Sequence, residues 1–185
     1  MTDNVVRCIV ETPKGSRNKY EFDAEYGAIV LDRFLSSSVV YPTDYGYVPE
    51  TLALDGDALD VLICVSEPTF PGCTVLCRTI GLFDMEDEEG IDSKLLCVPC
   101  GDPGWNTLQR LDDLPGQLRA EISHFFAIYK QLEAGRESRV KGWRDLEAAL
   151  KELDDARERY AQHASSATSP VRASRRASAA RTRGA

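Results

Sequence analysis

Leu54-Asp55-Gly56-Asp57-Ala58-Leu59-Asp60-Val61-Leu62-Ile63-Cys64-Val65 is the stretch on which the reading of this chain turns. Its second half, Val61 to Val65, is an unbroken apolar run, as expected of a strand buried on both faces. Its first half sets three carboxylates within six residues, directly ahead of that strand. Like charges held so close push each other's pKa upward and resist ionisation. A divalent cation resolves the conflict, and hard oxygen ligands suit magnesium. Gly56 permits a tight turn that lets Asp55 and Asp57 diverge. A solvated acidic turn is the competing reading of the same residues. An EF-hand calcium loop does not fit, because its glycine belongs at loop position 6 and its glutamate at 12.

Working outward, further strands are expected at Val5–Val10, Lys19–Phe22, Ala28–Phe34, Cys73–Phe83 and Lys94–Pro99. Turn signals at Pro13–Asn18, Glu67-Pro68, Pro71-Gly72 and Glu89-Gly90 punctuate them. Many short strands so spaced suggest a closed barrel rather than a parallel sheet. The last third turns helical. Leu118, Ile122, Phe125, Phe126 and Tyr129 fall on one face, with Pro115 near the start and Gly135 closing the helix. A second helix is expected to carry Trp143, Leu146, Leu150 and Leu153. The fold class is therefore α+β, mainly β: a small closed barrel with two C-terminal helices packed on it. One domain spans 1–163. Residues 164–185 form an Ala/Ser/Arg-rich tail with almost nothing to bury, expected to be disordered. Within it, Arg175-Arg176-Ala177-Ser178 looks like a basic-directed kinase site, although such composition produces the pattern by chance.

The 185 residues carry 22 basic and 30 acidic side chains. Setting aside the five tail arginines (Arg172, Arg175, Arg176, Arg181, Arg183) leaves 17 basic against 30 acidic. So acidic a body argues against a nucleic-acid partner. No apolar run approaches the roughly 20 residues of a membrane span. Met1-Thr2-Asp3-Asn4 lacks the basic start and apolar stretch of a signal peptide, so the expected location is the cytoplasm. Six cysteines should then be reduced. The spacings Cys73-x3-Cys77 and Cys97-x2-Cys100 invite a zinc reading, but cysteines in or beside β-like apolar runs more commonly serve as small buried hydrophobes.

A second acidic group, Asp84 to Asp92, lies between two strand-like runs and forms a loop or hairpin tip. Most of its acids read as solvated charge, but Asp87 and Asp92 could face Asp55 and Asp60 across a barrel mouth and hold two or more metals. Lys19 and Glu21 share a strand face, Arg33 ends another strand, and Tyr129-Lys130 ends the first helix. Tyr41-Pro42-Thr43-Asp44-Tyr45-Gly46-Tyr47 reads as an aromatic loop rich in hydroxyls. Acids for metals, bases for phosphate oxygens and tyrosines for orientation are what phosphoryl transfer needs.

With these residues in view, the chain resembles the family I soluble inorganic pyrophosphatases, of the bacterial type and nearest to actinobacterial members. Asp55-Gly56-Asp57-Ala58-Leu59-Asp60-Val61 matches the family's D-x-D-x-x-D signature and the apolar residues after it. In family order stand Ile9–Pro13, Asn18–Glu21, Leu31–Arg33, Tyr41–Gly46, Asp87 with Asp92–Lys94, and His124–Phe126 with Tyr129-Lys130. The likeness covers roughly residues 5–160. It implies an OB-like barrel that hydrolyses pyrophosphate to two phosphates with several Mg²⁺ ions, Mn²⁺ or Zn²⁺ being substitutes. It implies Asp55, Asp60, Asp87 and Asp92 as direct ligands, with Glu11 and Glu21 at the rim. Asp57 would be the general base and Asp92 the rival proton acceptor. Lys19, Arg33, Tyr45, Lys94, Tyr129 and Lys130 would hold phosphate oxygens. It also implies a homo-oligomer, with a hexamer favoured. Gly101–Asn106 carries no assigned role. Two other functions compete: a non-catalytic barrel module binding metal or a phosphorylated ligand, and another metal hydrolase such as a nuclease. The first would be expected to have lost some of the paired acids and bases; the second lacks a basic groove.

Overall fold

The computed structural model describes residues 4–88 and 90–167, with the side chain of Ala167 left aside. Among the described residues there are eight strands: β1 Val5–Thr12, β2 Asn18–Asp23, β3 Ala28–Phe34, β4 Asp44–Tyr47, β5 Asp60–Ile63, β6 Thr74–Asp87, β7 Gly90–Pro99 and β8 Ser138–Arg144. The helices are α1 Gly116–Ile128 and α2 Leu146–Ala167. The main sheet runs β1-β4-β5-β7-β6-β8, and β1 also pairs with β6, which closes five of its strands into a ring. β2 and β3 form a separate hairpin. The ring and the two helices agree with the barrel expected from the sequence.

β6 makes closure geometrically feasible. Its first residues pair with β1 and its last with β8, while β7 follows it along its length. A register shift between Thr79 and Gly81 marks an irregularity in the pairing, the kind that bends a strand.

The apolar run of β5 is buried on both faces because it feeds two cores. Val61 and Ile63 join Val6, Cys8, Val10, Cys77, Leu82, Leu95 and Cys97 against Ala149, Leu153 and Ala156 of α2. Leu62 and Cys64 join Tyr45, Phe83, Met85, Leu96 and Val98 against Ile122, Phe125 and Phe126 of α1. Period-2 alternation therefore divides β5, β6 and β7 between an α2 core and an α1 core.

The elements depart from the sequence reading in several places. Tyr41–Tyr47 is not simply a loop: Asp44–Tyr47 is strand β4, paired with β1 and β5. Helix α1 ends at Ile128, so Gly135 closes the turn beyond it rather than the helix. Trp143 lies on strand β8 rather than on the second helix, where it meets Phe83 at 4.9 Å between ring centroids. The apolar spacing of Trp143 with Leu146 mimicked a helical face across a strand–helix boundary. Finally, α2 runs to Ala167, four residues into the segment expected to be tail. The rest of that segment, including Arg175–Ser178, lies outside the described residues.

β1 and β4 approach closely at Gly46, where a Cβ would sit 1.9 Å from the Ile9 carbonyl oxygen. No side-chain rotation relieves a clash with backbone. Gly46→Ala is expected to lower unfolding free energy by at least about 3 kcal/mol, measured by urea denaturation.

Candidate active site

The residues that carry chemistry lie where the α1-facing side of the sheet runs out of apolar side chains. On β7, Asp92 and Lys94 continue the face of Leu96 and Val98; on β5, Asp60 continues the face of Leu62. β5 and β7 run parallel with Asp60 opposite Lys94, and on β6 Met85 stands opposite Asp92 and Asp87 opposite Gly90. The acidic stretch 84–92 is thus mostly paired hairpin. Alternation sorts its acids. Asp87 faces the site, whereas Asp84 accepts from Ser93 Oγ at 2.7 Å and pairs with Arg144 at 3.1 Å, and Glu86 pairs with Lys141.

One cleft of ≈690 Å³ collects all thirteen residues nominated from the sequence. Lys94, 1% exposed, is its hub. Its Nζ donates to Asp60 Oδ2 at 2.6 Å, to Asp92 Oδ1 and Oδ2 at 2.6 and 2.8 Å, and to the Tyr45 hydroxyl at 3.2 Å. It also stands 5.4 Å from the Tyr45 ring and 5.6 Å from that of Phe126. Burial works against the charged ammonium, but Asp60 and Asp92 overcome it, and the pKa of Lys94 is raised. The Tyr45 hydroxyl donates to Asp60. Burial, then the Asp60 and Asp92 charges, push its pKa well up, so it remains a donor. Tyr129, raised mainly by burial, does likewise. Burial also raises Asp92, and Lys94 offsets this only in part.

The β2–β3 hairpin supplies the opposite wall. Glu11 at the end of β1 accepts the Phe22 amide at 2.7 Å, and Thr12 Oγ1 accepts that of Tyr20 at 3.0 Å. Lys19 pairs with Glu21. Arg33 donates from Nη1 to Asp32 at 2.6 Å and from Nε to Glu133 at 3.3 Å, while its buried Nη2 has no partner among the described residues. Lys130, just past α1, reaches Asp87 at 2.7 Å and Glu88 at 3.6 Å.

Asp55 and Asp57 sit on the exposed loop between β4 and β5, where the Asp57 amide donates to Asp55 Oδ1 at 3.0 Å. Gly56, at φ 98°, turns the chain between them in a conformation L side chains rarely adopt. Asp44, within the tyrosine-rich motif, has no place in the cleft. Its carboxylate is buried on the Lys14 amide at 2.8 Å and the Thr69 hydroxyl at 2.6 Å, which makes it a structural clamp. The cleft also takes in Asp32, Tyr41, Tyr47, Glu88, Arg136, Tyr160 and His163. Glu88, Arg136, Tyr160 and His163 carried no signal in sequence, because each is one polar residue among many on a helix or turn.

Donor chemistry fits a hard divalent cation: the acids lining the cleft offer carboxylate oxygen alone. They do not form a ready-made cage. Among the described residues no three acidic, histidine or cysteine side chains converge in a ligating cluster. Lysine ammonium groups, Lys94 between Asp60 and Asp92 and Lys130 on Asp87, supply positive charge among them. The cleft thus sets acids able to bind cations beside Lys, Arg and Tyr donors able to bind an anion.

Comparison with known proteins agrees. A family model described as inorganic pyrophosphatase matches residues 8–161. The inorganic pyrophosphatase of Methanosarcina mazei is 50% identical over 88% of this chain and 96% of its own length. That of Streptomyces coelicolor is 50% identical over 82% and 93%. The crystal structure of the inorganic pyrophosphatase from Thermus thermophilus superposes with a TM-score of 0.84 at 46% identity, covering 86% of this chain and 93% of the other. The chain belongs to the inorganic pyrophosphatase family.

Glu11 yields a pH prediction. Burial, more than the Asp60 and Glu21 charges, raises its pKa from 4.5 to about 7, against the Phe22 amide. The folded protein therefore keeps a proton that the unfolded chain releases between those values. The Glu11 contribution to the stability of the metal-free protein is full below the lower value and is lost as pH rises through the upper one, by up to about 3 kcal/mol. Asp92 adds to the same slope. Thermal unfolding of metal-free protein across pH 4–8 should show the decline, and Glu11→Gln should flatten it.

Proposed function

We propose that this chain hydrolyses inorganic pyrophosphate to two orthophosphates in the Lys94-centred cleft. The observation that carries the reading is convergence. Residues scattered from Glu11 to Lys130 line a single cleft, and they comprise seven acids and six Lys, Arg and Tyr donors. A non-catalytic descendant of such a protein has no reason to keep both sets complete.

Asp55, Asp60, Asp87 and Asp92 would hold magnesium, with Glu11 and Glu21 at the rim. The metal supplies Lewis-acid neutralisation of the substrate's charge and acidification of a water. Lys94, Tyr45 and Tyr129 hold phosphoryl oxygens at the cleft floor, and Arg33, Lys19 and Lys130 hold them from the sides. The buried Nη2 of Arg33 gains in a phosphate oxygen the acceptor it otherwise lacks. Water attacks one phosphorus as the bridging P–O bond breaks, and the departing phosphate carries away the electron pair. Asp57 takes the proton of the attacking water. The engagement of both Asp92 oxygens by Lys94 counts against Asp92 in this role.

We place the protein in the cytoplasm as a homo-oligomer, with a hexamer as the favoured form. No helix among the described residues is long and apolar enough to cross a membrane. Exposed apolar side chains such as Phe34, Phe70, Leu76 and Leu132 are the kind of surface that association covers.

Phosphate release from pyrophosphate should require added Mg²⁺ and stop on chelation; robust turnover in excess chelator would sink the metal reading. Asp57→Asn should cut kcat by about 10² or more while circular dichroism stays unchanged. A panel of pyrophosphate, nucleoside triphosphate and DNA should show release from pyrophosphate far in excess of the others.

A further inference from the structure

The loop carrying Asp55 and Asp57 is fixed at two places. At its root, the Val48 amide donates to the Leu59 carbonyl at 2.9 Å. Buried Thr51 reinforces this, giving its hydroxyl proton to the Val48 carbonyl at 2.5 Å and accepting the Leu59 amide at 2.9 Å. On its flank, the loop is tied to α2. The Leu52 amide donates to the Ala156 carbonyl at 2.9 Å, and Arg159 Nε donates to the Leu52 carbonyl at 2.7 Å. The guanidinium is itself steadied by Glu152, which accepts from Nη2 at 2.6 Å. Arg159 and Glu152 side chains are 27% and 18% exposed, so the contact is partly shielded from water.

Leu52 thus has both its amide and its carbonyl committed to one helix. The turn that follows is built directly on it: the Ala53 amide donates to the Asp57 carbonyl at 2.7 Å, and the Gly56 amide to the Ala53 carbonyl at 3.3 Å. Where residue 52 stands determines where the carboxylates of Asp55 and Asp57 stand. An intrahelical Glu152–Arg159 pair would account for Nη2 alone. Nε, directed across the chain to a loop carbonyl, is the contact that a purely helix-stabilising role leaves unexplained.

We propose that Arg159 is a positioning residue for the metal site, holding the 52–57 turn against α2 so that its carboxylates stand ready to receive a divalent cation. This rests on the reading of the cleft acids as metal ligands. Without Arg159 the Leu52 carbonyl turns to water, the loop samples more positions, and binding must then order it at a cost in affinity.

The test is calorimetric titration of the full-length chain with Mg²⁺ alone, comparing wild type with Arg159→Met, Arg159→Gln and Arg159→Lys. Loss of the contact should raise the Mg²⁺ Kd about tenfold in the Met and Gln variants, equivalent to ~1.4 kcal/mol. Arg159→Lys, which keeps a donor on a stem of similar reach, should recover at least half of that shift. Turnover should fall at limiting Mg²⁺ and recover at saturating Mg²⁺. Unaltered Mg²⁺ affinity in a folded Met or Gln variant, with or without a lower unfolding temperature, overturns the role of Arg159 and leaves the metal reading intact. Absence of Mg²⁺ binding by the wild type overturns both.

Discussion

A buried ammonium group is the constraint from which the site follows. Isolated in a protein interior, the charge on Lys94 would cost far more than such a fold can bear, so its neighbours must answer it. They do so through strand register. The parallel pairing of β5 with β7 sets Asp60 opposite Lys94, and alternation along β7 puts Asp92 on the same face. A one-residue slip would turn Lys94 toward the inner core of Leu95 and Cys97, where no carboxylate is among the clustered side chains. Electrostatics and sheet geometry therefore enforce each other, and the same three side chains that stabilise the register line the cleft.

The two cores divide the labour around that centre. The inner one, under α2, closes the ring and holds Cys8, Cys77 and Cys97 together; hydrogen bonding with Cys77 and Cys97, and then burial, pushes the Cys8 thiol well up in pKa, and the Cys77 thiol, lowered by its hydrogen bond with Cys8, is raised on balance by burial, so that they act as small hydrophobes. The outer one, under α1, is strongly aromatic: Tyr41, Phe125, Phe126 and Tyr129 stack within about 5.5 Å of a neighbour. Its margin becomes the floor of the cleft, so Tyr45 and Tyr129 each bury a ring in the core and present a hydroxyl to the site.

How much of this was legible in sequence depended on how each signal is encoded. The apolar run 61–65 announced β5 because two-sided burial leaves no polar position. Asp55, Asp57 and Asp60 announced themselves by local density. Asp87 and Asp92 were singled out as acids that could face Asp55 and Asp60 across a barrel mouth, and the resemblance made them ligands; period-2 alternation along the hairpin is the physical reason that Asp84 and Glu86 turn elsewhere. β4 was hidden because four residues carrying Asp44 and Gly46 read as a turn; only its pairing on both sides makes it a strand. Glu133, which holds Arg33 from the turn after α1, gave no signal, since its partner lies 100 residues away. Contacts of that span are properties of the closed ring rather than of any window of sequence.

The double burial of β5 also governs how the chain can change over generations. An insertion or deletion within 60–65 would exchange its two faces, sending Asp60 to one core and a Val or Ile to the cleft, so both cores and the site would fail together. Between Val48 and Leu59 the chain leaves and re-enters the ring at a fixed pair of backbone groups, so closure of the barrel sets the span of the acidic loop. The strand beneath the acidic loop therefore admits only replacement of one side chain by another.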